Sequence, residues 1–254
     1  MIKLCDLNDL KVIEEFCSSA DPLAVYALCR VKCYGFSMRF CETWLCKNGE
    51  DVVAVLSVLC NNAVLYSKEN ADFDEIRVFL CASEFNTLLT QTSVAENLGF
   101  EKYKRKQALL FKGDCSEVFC SDLADYVQIY SLLCECFPHE YSDDKEHYLE
   151  WLSDLTFRKR RGFARTKAIF EKNRLSANVL TVAETETAAV IGGVCCSHSR
   201  RGCGLGSKVV LSAVNELKNE NRDVFVLAND DVADGFYKRI GFSQYKNIAY
   251  IERQ

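Results

Sequence analysis

The sequence predicts an α/β protein in which one order of elements occurs twice. Three observations carry that prediction. Strand-like and helix-like runs alternate along the 254 residues. An octapeptide of the first half, Asn97–Lys104 (NLGFEKYK), returns in register as Arg239–Lys246 (RIGFSQYK), with four of eight positions identical. A strand-like run ending near Ser197 leads into Arg200-Arg201-Gly202-Cys203-Gly204-Leu205-Gly206, and an apolar face at helical spacing follows.

The elements read in order as follows. Residues 6–18 place Leu7, Leu10, Ile13 and Cys17 on one helical face, and residues 22–33 continue in the same way with Pro22 suited to a first turn. Strands are expected at 38–45, 52–60 and 63–67, with Asn48-Gly49 as a hairpin turn and Asn61-Asn62 as a second turn. Residues 72–83 read as a helix capped by Asp72, with Glu75 where a capping box wants an acid. A strand at 87–91, a short helix at 93–98 and a strand at 103–112 close the half.

The second half repeats the order. Helices are expected at 121–137 and 143–156, then strands at 163–171, 178–183 and 188–197. After the glycines, Leu205, Val209, Val210, Ala213, Val214 and Leu217 form one helical face. A strand at 224–228, a helix at 232–240 and a strand at 243–252 finish the chain. In both octapeptides a short helix ends at Gly and the chain returns as a strand. The expected domains are therefore 1–113 and 117–254, related by duplication.

Composition narrows the function. A net charge of −5 gives no general attraction to a phosphate polymer, so nucleic acid is not an expected partner. The local basic run Phe157–Arg161 reads as the solvated end of a helix. Met1–Leu10 carries Lys3, Asp6 and Asp9 without an apolar core, and no apolar run reaches membrane-spanning length. A cytoplasmic protein without a membrane partner is the expectation. The 15 cysteines are an odd count with no C-x-x-C, so they read as small core hydrophobes rather than a disulfide framework. Cys134, Cys136, His139 and His147 match no familiar zinc module, and no metal is expected.

The glycine segment carries the chemistry. Free N–H groups at a helix start, with no Cβ in the way, form an anion cradle, and the helix dipole adds to it. Arg200 and Arg201 place positive charge at its rim. A Walker loop fails, because Gly206-Ser207-Lys208 puts a serine before the lysine. A dinucleotide fingerprint lacks its third glycine, although Asp230 stands where the ribose acid would. The plain alternative is a tight turn that holds nothing.

Arg201-Gly202-Cys203-Gly204-Leu205-Gly206 reads R-x-x-G-x-G, and Phe236-Tyr237-Lys238-Arg239-Ile240-Gly241-Phe242 follows the next strand and Asn229. On these two segments and the order of elements, residues 117–254 resemble the GNAT N-acetyltransferase family. The resemblance implies a mixed sheet flanked by helices and acetyl-CoA as cofactor. It implies that the diphosphate sits on backbone N–H groups of Arg201, Gly202, Cys203, Gly204, Leu205, Gly206 and Ser207. The pantetheine arm would pair with backbone near Val194 and Cys196, and Asn229 would lie at the mouth of the second splayed strand. The reaction implied is direct transfer of an acetyl group to the neutral amine of a small molecule or peptide. An N–H near Cys196 would polarise the thioester carbonyl, and Tyr237 matches the family's general acid. The base departs from the pattern. Ala188-Ala189-Val190-Ile191 carries no acid; Glu184 and Glu186, near the preceding hairpin, could act through water, but they read first as solvated turn residues. His198 reads as a surface histidine and Cys203 as a loop side chain, not a nucleophile.

The first half has the expected elements without the chemistry. Lys68-Glu69-Asn70-Ala71-Asp72 contains no glycine, and Ala95 stands where Tyr237 would align. The expectation is a degenerate copy that binds no cofactor and supplies packing area and a wall for the acceptor, as a partner subunit would. A monomer with pseudo-dimeric halves fits this reading. The acceptor itself has no signature.

Overall fold

The computed structural model describes residues 1–114, 118, 120–122 and 125–253. The junction expected between residues 113 and 117 lies mostly outside these, as do residues 123–124 of the helix expected from Ser121. The chain forms two compact units that do not follow its halves. Unit 1 comprises Met1–Leu109, Leu227–Tyr237 and Ser243–Gln254; unit 2 comprises Leu110–Val226 and Lys238–Phe242. Among the described residues no helix is long and apolar enough to cross a membrane.

In unit 1, strands β1 (Ile2–Leu4), β2 (Cys41–Asn48), β3 (Asp51–Leu59), β4 (Asn62–Ser67), β5 (Thr87–Gln91) and β6 (Lys104–Phe111) are joined by the chain's last strand, β11 (Phe242–Glu252). Their order is β1-β2-β3-β4-β5-β11-β6. β2, β3 and β4 form an antiparallel meander, with Gly49 at φ 63° in the first turn and Cys60 and Asn61 at φ 46° and 62° in the second. β4 and β5 run parallel, and β5 pairs antiparallel with β11 from Gln91↔Ile248 to Thr87↔Glu252. β11 is thus interposed between β5 and β6, which are consecutive in the first half. Only three residues long, β1 was invisible to periodicity, and its pairing with Leu45 and its neighbours defines it.

Helices α1 (Leu10–Phe16), α2 (Pro22–Tyr34), α3 (Phe73–Ala82) and α4 (Thr92–Asn97) complete the first half. Asp21 accepts from the Leu23 N–H at 2.9 Å, and Pro22 opens α2 where its missing N–H costs nothing. Asp72 caps α3 through the Glu75 N–H at 3.0 Å. The Glu75 carboxylate does not complete a capping box but meets the Met1 amino group at 2.5 Å. One core cluster joins Ile76 and Leu80 of α3 to Leu56, Leu65, Leu88 and Ile251 of the sheet; a second joins Ile13, Ala27 and Val31 to Leu45 and Val55.

In unit 2, helices α5 (Tyr126–Cys136) and α6 (Lys145–Arg160) precede strands β7 (Thr166–Glu171), β8 (Arg174–Glu184) and β9 (Ala188–Cys196), then helix α7 (Leu205–Asn219) and strand β10 (Asp223–Ala228). The order is β10-β9-β8-β7, antiparallel except for the parallel β9–β10 pair. Asp125 and Asp144 cap α5 and α6 through the N–H groups of Gln128 and His147. All six apolar residues of the expected α7 face are buried. Ile129 and Leu133 of α5 pack with Leu155 of α6 and Leu180 and Cys195 of the sheet.

Helix α8 (Asp231–Arg239) links β10 to β11. The repeated octapeptide now has a physical reason. Gly99 follows α4 at φ 78° and Gly241 follows α8 at φ 105°, both in the left-handed region that favours glycine. The described cysteines are free thiols, and half of them are buried. Burial pushes the Cys5, Cys17 and Cys46 thiols up to about 12, as befits small core hydrophobes.

Candidate functional site

The site in unit 2 begins where β9 leaves its parallel partner. The β9–β10 ladder runs from Ala188↔Asp223 to Ile191↔Val226, and β9 continues to Cys196 beyond it. Gly192 and Gly193 lie just past that point, where the register with β8 shifts. A β-bulge re-aims the strand there. Gly193 stands at φ 54°, and the Asn178 side chain donates to its carbonyl at 2.8 Å. A Cβ on Gly193 would lie 3.0 Å from Leu180 Cδ1 and 3.3 Å from Leu133 Cδ2. Gly193→Ala is expected to destabilise the chain by about 1–3 kcal/mol, through left-handed strain and crowding together. An unshifted midpoint in urea denaturation would contradict this. A Gly-Gly pair inside a strand pattern was the available signal for the bulge, and the sequence reading passed over it. Val194 and Cys196 both lie on this final stretch of β9 and are half-buried.

A short 3-10 turn, His198–Arg200, carries the chain to the glycines. Gly202 and Gly204 stand at φ 78° and 77°, and a Cβ on either would meet nothing within 4 Å. Gly204 is the N-cap of α7, no side chain caps that end, and the first helical bond runs from the Lys208 N–H to the Gly204 carbonyl at 3.0 Å. The N–H groups of Leu205, Gly206 and Ser207 therefore precede the helical ladder, at the positive end of a 15-residue dipole. Arg201, Gly202, Cys203 and Gly204 are exposed, Gly206 and Ser207 half-buried, and Leu205 buried. These residues fit an anionic group: open backbone, left-handed glycines and no competing carboxylate cap.

The two rim arginines differ. Arg200 is committed to Glu171, with Nε 2.6 Å from Oε2, so its charge is already matched. Arg201 is exposed, with Nε 3.4 Å from the Cys196 carbonyl. His198 is exposed and holds Glu135 at 2.6 Å, and that contact together with the His198 N–H keeps the Glu135 carboxyl below its usual range. The Cys203 thiol points to the Arg201 carbonyl at 3.8 Å. The basic run is a helix end: Arg158 pairs with Asp154, and Arg161 lies over the Phe157 ring. His147 meets Asp144 at 2.6 Å, and no group of three or more His, Cys, Asp or Glu among the described residues could hold a metal ion.

Glu184 is not a solvated turn residue. It is 1% exposed, accepts from the Thr181 hydroxyl at 2.5 Å, and pairs with Arg165 at 2.8 Å and Arg222 at 2.7 Å. Arg165 also reaches Glu216 and Glu220, so the carboxylate ties β8 to α7. Its charge is locked in structure. Glu184→Gln is expected to cost about 3 kcal/mol by leaving two guanidinium groups under-compensated. A base role would instead lower turnover with the denaturation midpoint unmoved. Glu186 is exposed.

Asn229 and Tyr237 belong to unit 1. Asn229 is exposed at the start of the turn into α8. Asp230 caps α8, accepting from the Ala233 N–H at 2.7 Å, which occupies the acid that a dinucleotide reading would need. Tyr237 is 7% exposed, with its ring edge-on to Phe236 at 5.0 Å.

The corresponding strands of the first half, β4 and β5, also part after a short parallel ladder that ends at Val64↔Leu89. There the chain's own side chains bridge the gap. Thr90 donates to the Leu65 carbonyl at 3.0 Å and Gln91 to the Ser67 carbonyl at 2.9 Å. A cavity of about 950 Å³ beside them is lined by Lys68, Asn70, Thr92 and Lys246 among others. Asp72 holds the helix start that the second half leaves open.

Strands that part before a glycine loop and an uncapped helix, with this order of elements around them, define the GNAT fold. Residues 126–242 match the acetyltransferase (GNAT) family model. That stretch of the chain is a GNAT acetyltransferase domain, of a family that performs acyl transfer. Among solved structures, the chain is similar to a tandem GNAT protein from the clavulanic acid biosynthesis pathway, at 14% identity and TM-score 0.65, over 99% of this chain and 98% of that one. It is similar to a GCN5-related N-acetyltransferase from Sphaerobacter thermophilus at 14% identity and TM-score 0.64, over 98% and 94%. A GNAT-family acetyltransferase from Colwellia psychrerythraea aligns at 13% identity and TM-score 0.61, over 100% of both chains. At these identities the likeness is one of fold, and it extends through the first half. No curated protein matches the chain.

Proposed function

We propose that this chain is an acetyl-CoA-dependent N-acetyltransferase that modifies a primary amine on a small molecule or peptide. The observation that carries the reading is the open anion cradle from Arg201 to Ser207, set one short turn beyond the end of β9, which has left its parallel partner β10 while still pairing with β8. Backbone amides of this loop would hold the diphosphate of the cofactor, with Arg201 adding charge. When bound, acetyl-CoA supplies the acetyl group as an activated thioester. Backbone of Val194 and Cys196 would hold the pantetheine arm, Asn229 would bind further along it, and an N–H near Cys196 would stabilise charge on the carbonyl oxygen. Tyr237 would give its phenolic proton to the departing thiolate. The acceptor amine must arrive neutral. No carboxylate on Ala188–Ile191 can take its proton, and Glu184 is committed to arginines, so proton removal falls to solvent or to the acceptor's own environment.

That lack of a base favours a second reading, an acyl-CoA-binding sensor without turnover. Thermal shift with acetyl-CoA, coenzyme A and NAD tests the cradle: acetyl-CoA and coenzyme A should stabilise the chain and NAD should not. Release of free coenzyme A across a panel of amines separates enzyme from sensor. Stabilisation without amine-dependent release would favour the sensor, and no response to acetyl-CoA would end both readings.

A further inference from the structure

The cavity of about 950 Å³ in unit 1, beside the parting of β4 and β5, has a floor whose polar groups are spent and walls whose polar groups are not. Gln91 donates to the Ser67 carbonyl at 2.9 Å, the Ser67 hydroxyl donates to the Lys68 carbonyl at 2.9 Å, and Lys246 is paired with Asp21. With Gln91 and Thr90 bridging the strands and Asp72 on the α3 start, neither a long ligand arm nor a diphosphate is accommodated as it is in the cradle of unit 2. The walls differ. Asn70, Ser93, Asn97 and Asn247 line the cavity, and among the described residues none of these side chains hydrogen-bonds to the protein. Thr92 lines it too, and its hydroxyl oxygen is buried without a hydrogen-bond partner. Lys68 and Glu69 are exposed members of the lining, and neither pairs with an opposite charge among the described residues; the Lys68 ammonium lies over the Phe16 ring, 5.1 Å from its centroid. One unmatched cation and one unmatched anion thus stand at consecutive positions.

We propose that this cavity binds a free α-amino acid with a polar side chain, its carboxylate on Lys68, its ammonium on Glu69 and its side chain among the asparagines. A simple anion would meet the repulsion of Glu69, and a simple cation that of Lys68; a zwitterion satisfies both. A carboxamide both donates and accepts, so walls carrying Asn70, Asn97 and Asn247 match a hydroxyl or amide side chain rather than an apolar one. An amino acid fills only part of the volume, and bridging water takes up the rest. The proposal goes beyond the transferase reading and does not depend on it.

The test offers the full chain each proteinogenic free amino acid at millimolar concentration, reads the melting temperature, and follows a response by calorimetric titration. At least one amino acid with a polar side chain should raise the melting temperature. Its N-acetyl derivative, which lacks the ammonium, and its α-carboxamide, which lacks the carboxylate, should each bind about tenfold more weakly. Lys68→Ala and Glu69→Gln, both at exposed positions, should each raise Kd for the amino acid about tenfold, with the far-UV circular dichroism and the response to acetyl-CoA unchanged. An amino acid bound only as an acetyl acceptor would hold to both variants as tightly as to wild type. That result, a chain that no free amino acid stabilises, or equal affinity for the amino acid and its α-carboxamide overturns the proposal.

Discussion

Gly204→Glu is expected to abolish acetyl-CoA binding, raising Kd by about ten-thousandfold. Two effects combine. Gly204 is at φ 77°, where a side chain strains the backbone by about 1–2 kcal/mol. The new carboxylate would also face the cofactor's diphosphate, and two like charges near 4 Å repel by about 4 kcal/mol at an effective dielectric of 20. Gly204→Ala separates the two. Space around its Cβ is open, so only the strain applies and affinity should fall by about tenfold. The loop is exposed and remote from the α7 core face, so both variants should keep the wild-type far-UV circular dichroism. Equal, small losses of affinity in the two would sink the diphosphate assignment.

Tyr237→Phe is expected to lower kcat by about a hundredfold or more, with the dissociation constant for acetyl-CoA within about twofold of wild type. The ring is buried and edge-on to Phe236, and phenylalanine keeps that packing. A core tyrosine gives the opposite result: a lower melting temperature with kcat untouched. Calorimetric titration and single-turnover kinetics on the same preparation distinguish the two.

Local physics explains how much could be read from the chain alone. The α3, α7 and α8 boundaries came from apolar spacing and from short-range signals such as Asp72 on the Glu75 N–H. The left-handed conformations at Gly99, Gly202, Gly204 and Gly241 are backbone requirements, so the sequence marks them with glycine. The loop's shape was legible for that reason. Glu184 was misread because its partners Arg165 and Arg222 lie 19 and 38 positions away, and an acid beside a hairpin turn looks solvated until they arrive. The Gly192-Gly193 bulge needs Asn178 of the neighbouring strand to define it.

The sequence by itself determined most of the order of elements, the Asp72 cap and the glycine loop, because each is fixed by residues within a turn or two of one another. Only the tertiary structure decided that β11, not β6, lies against β5. β6 and β11 follow nearly the same helix–Gly–Phe lead-in, and a strand's hydrogen-bonding edge is backbone, identical for every residue. Which strand a given edge accepts is therefore set by side-chain packing across the whole sheet, at a range that no local pattern encodes.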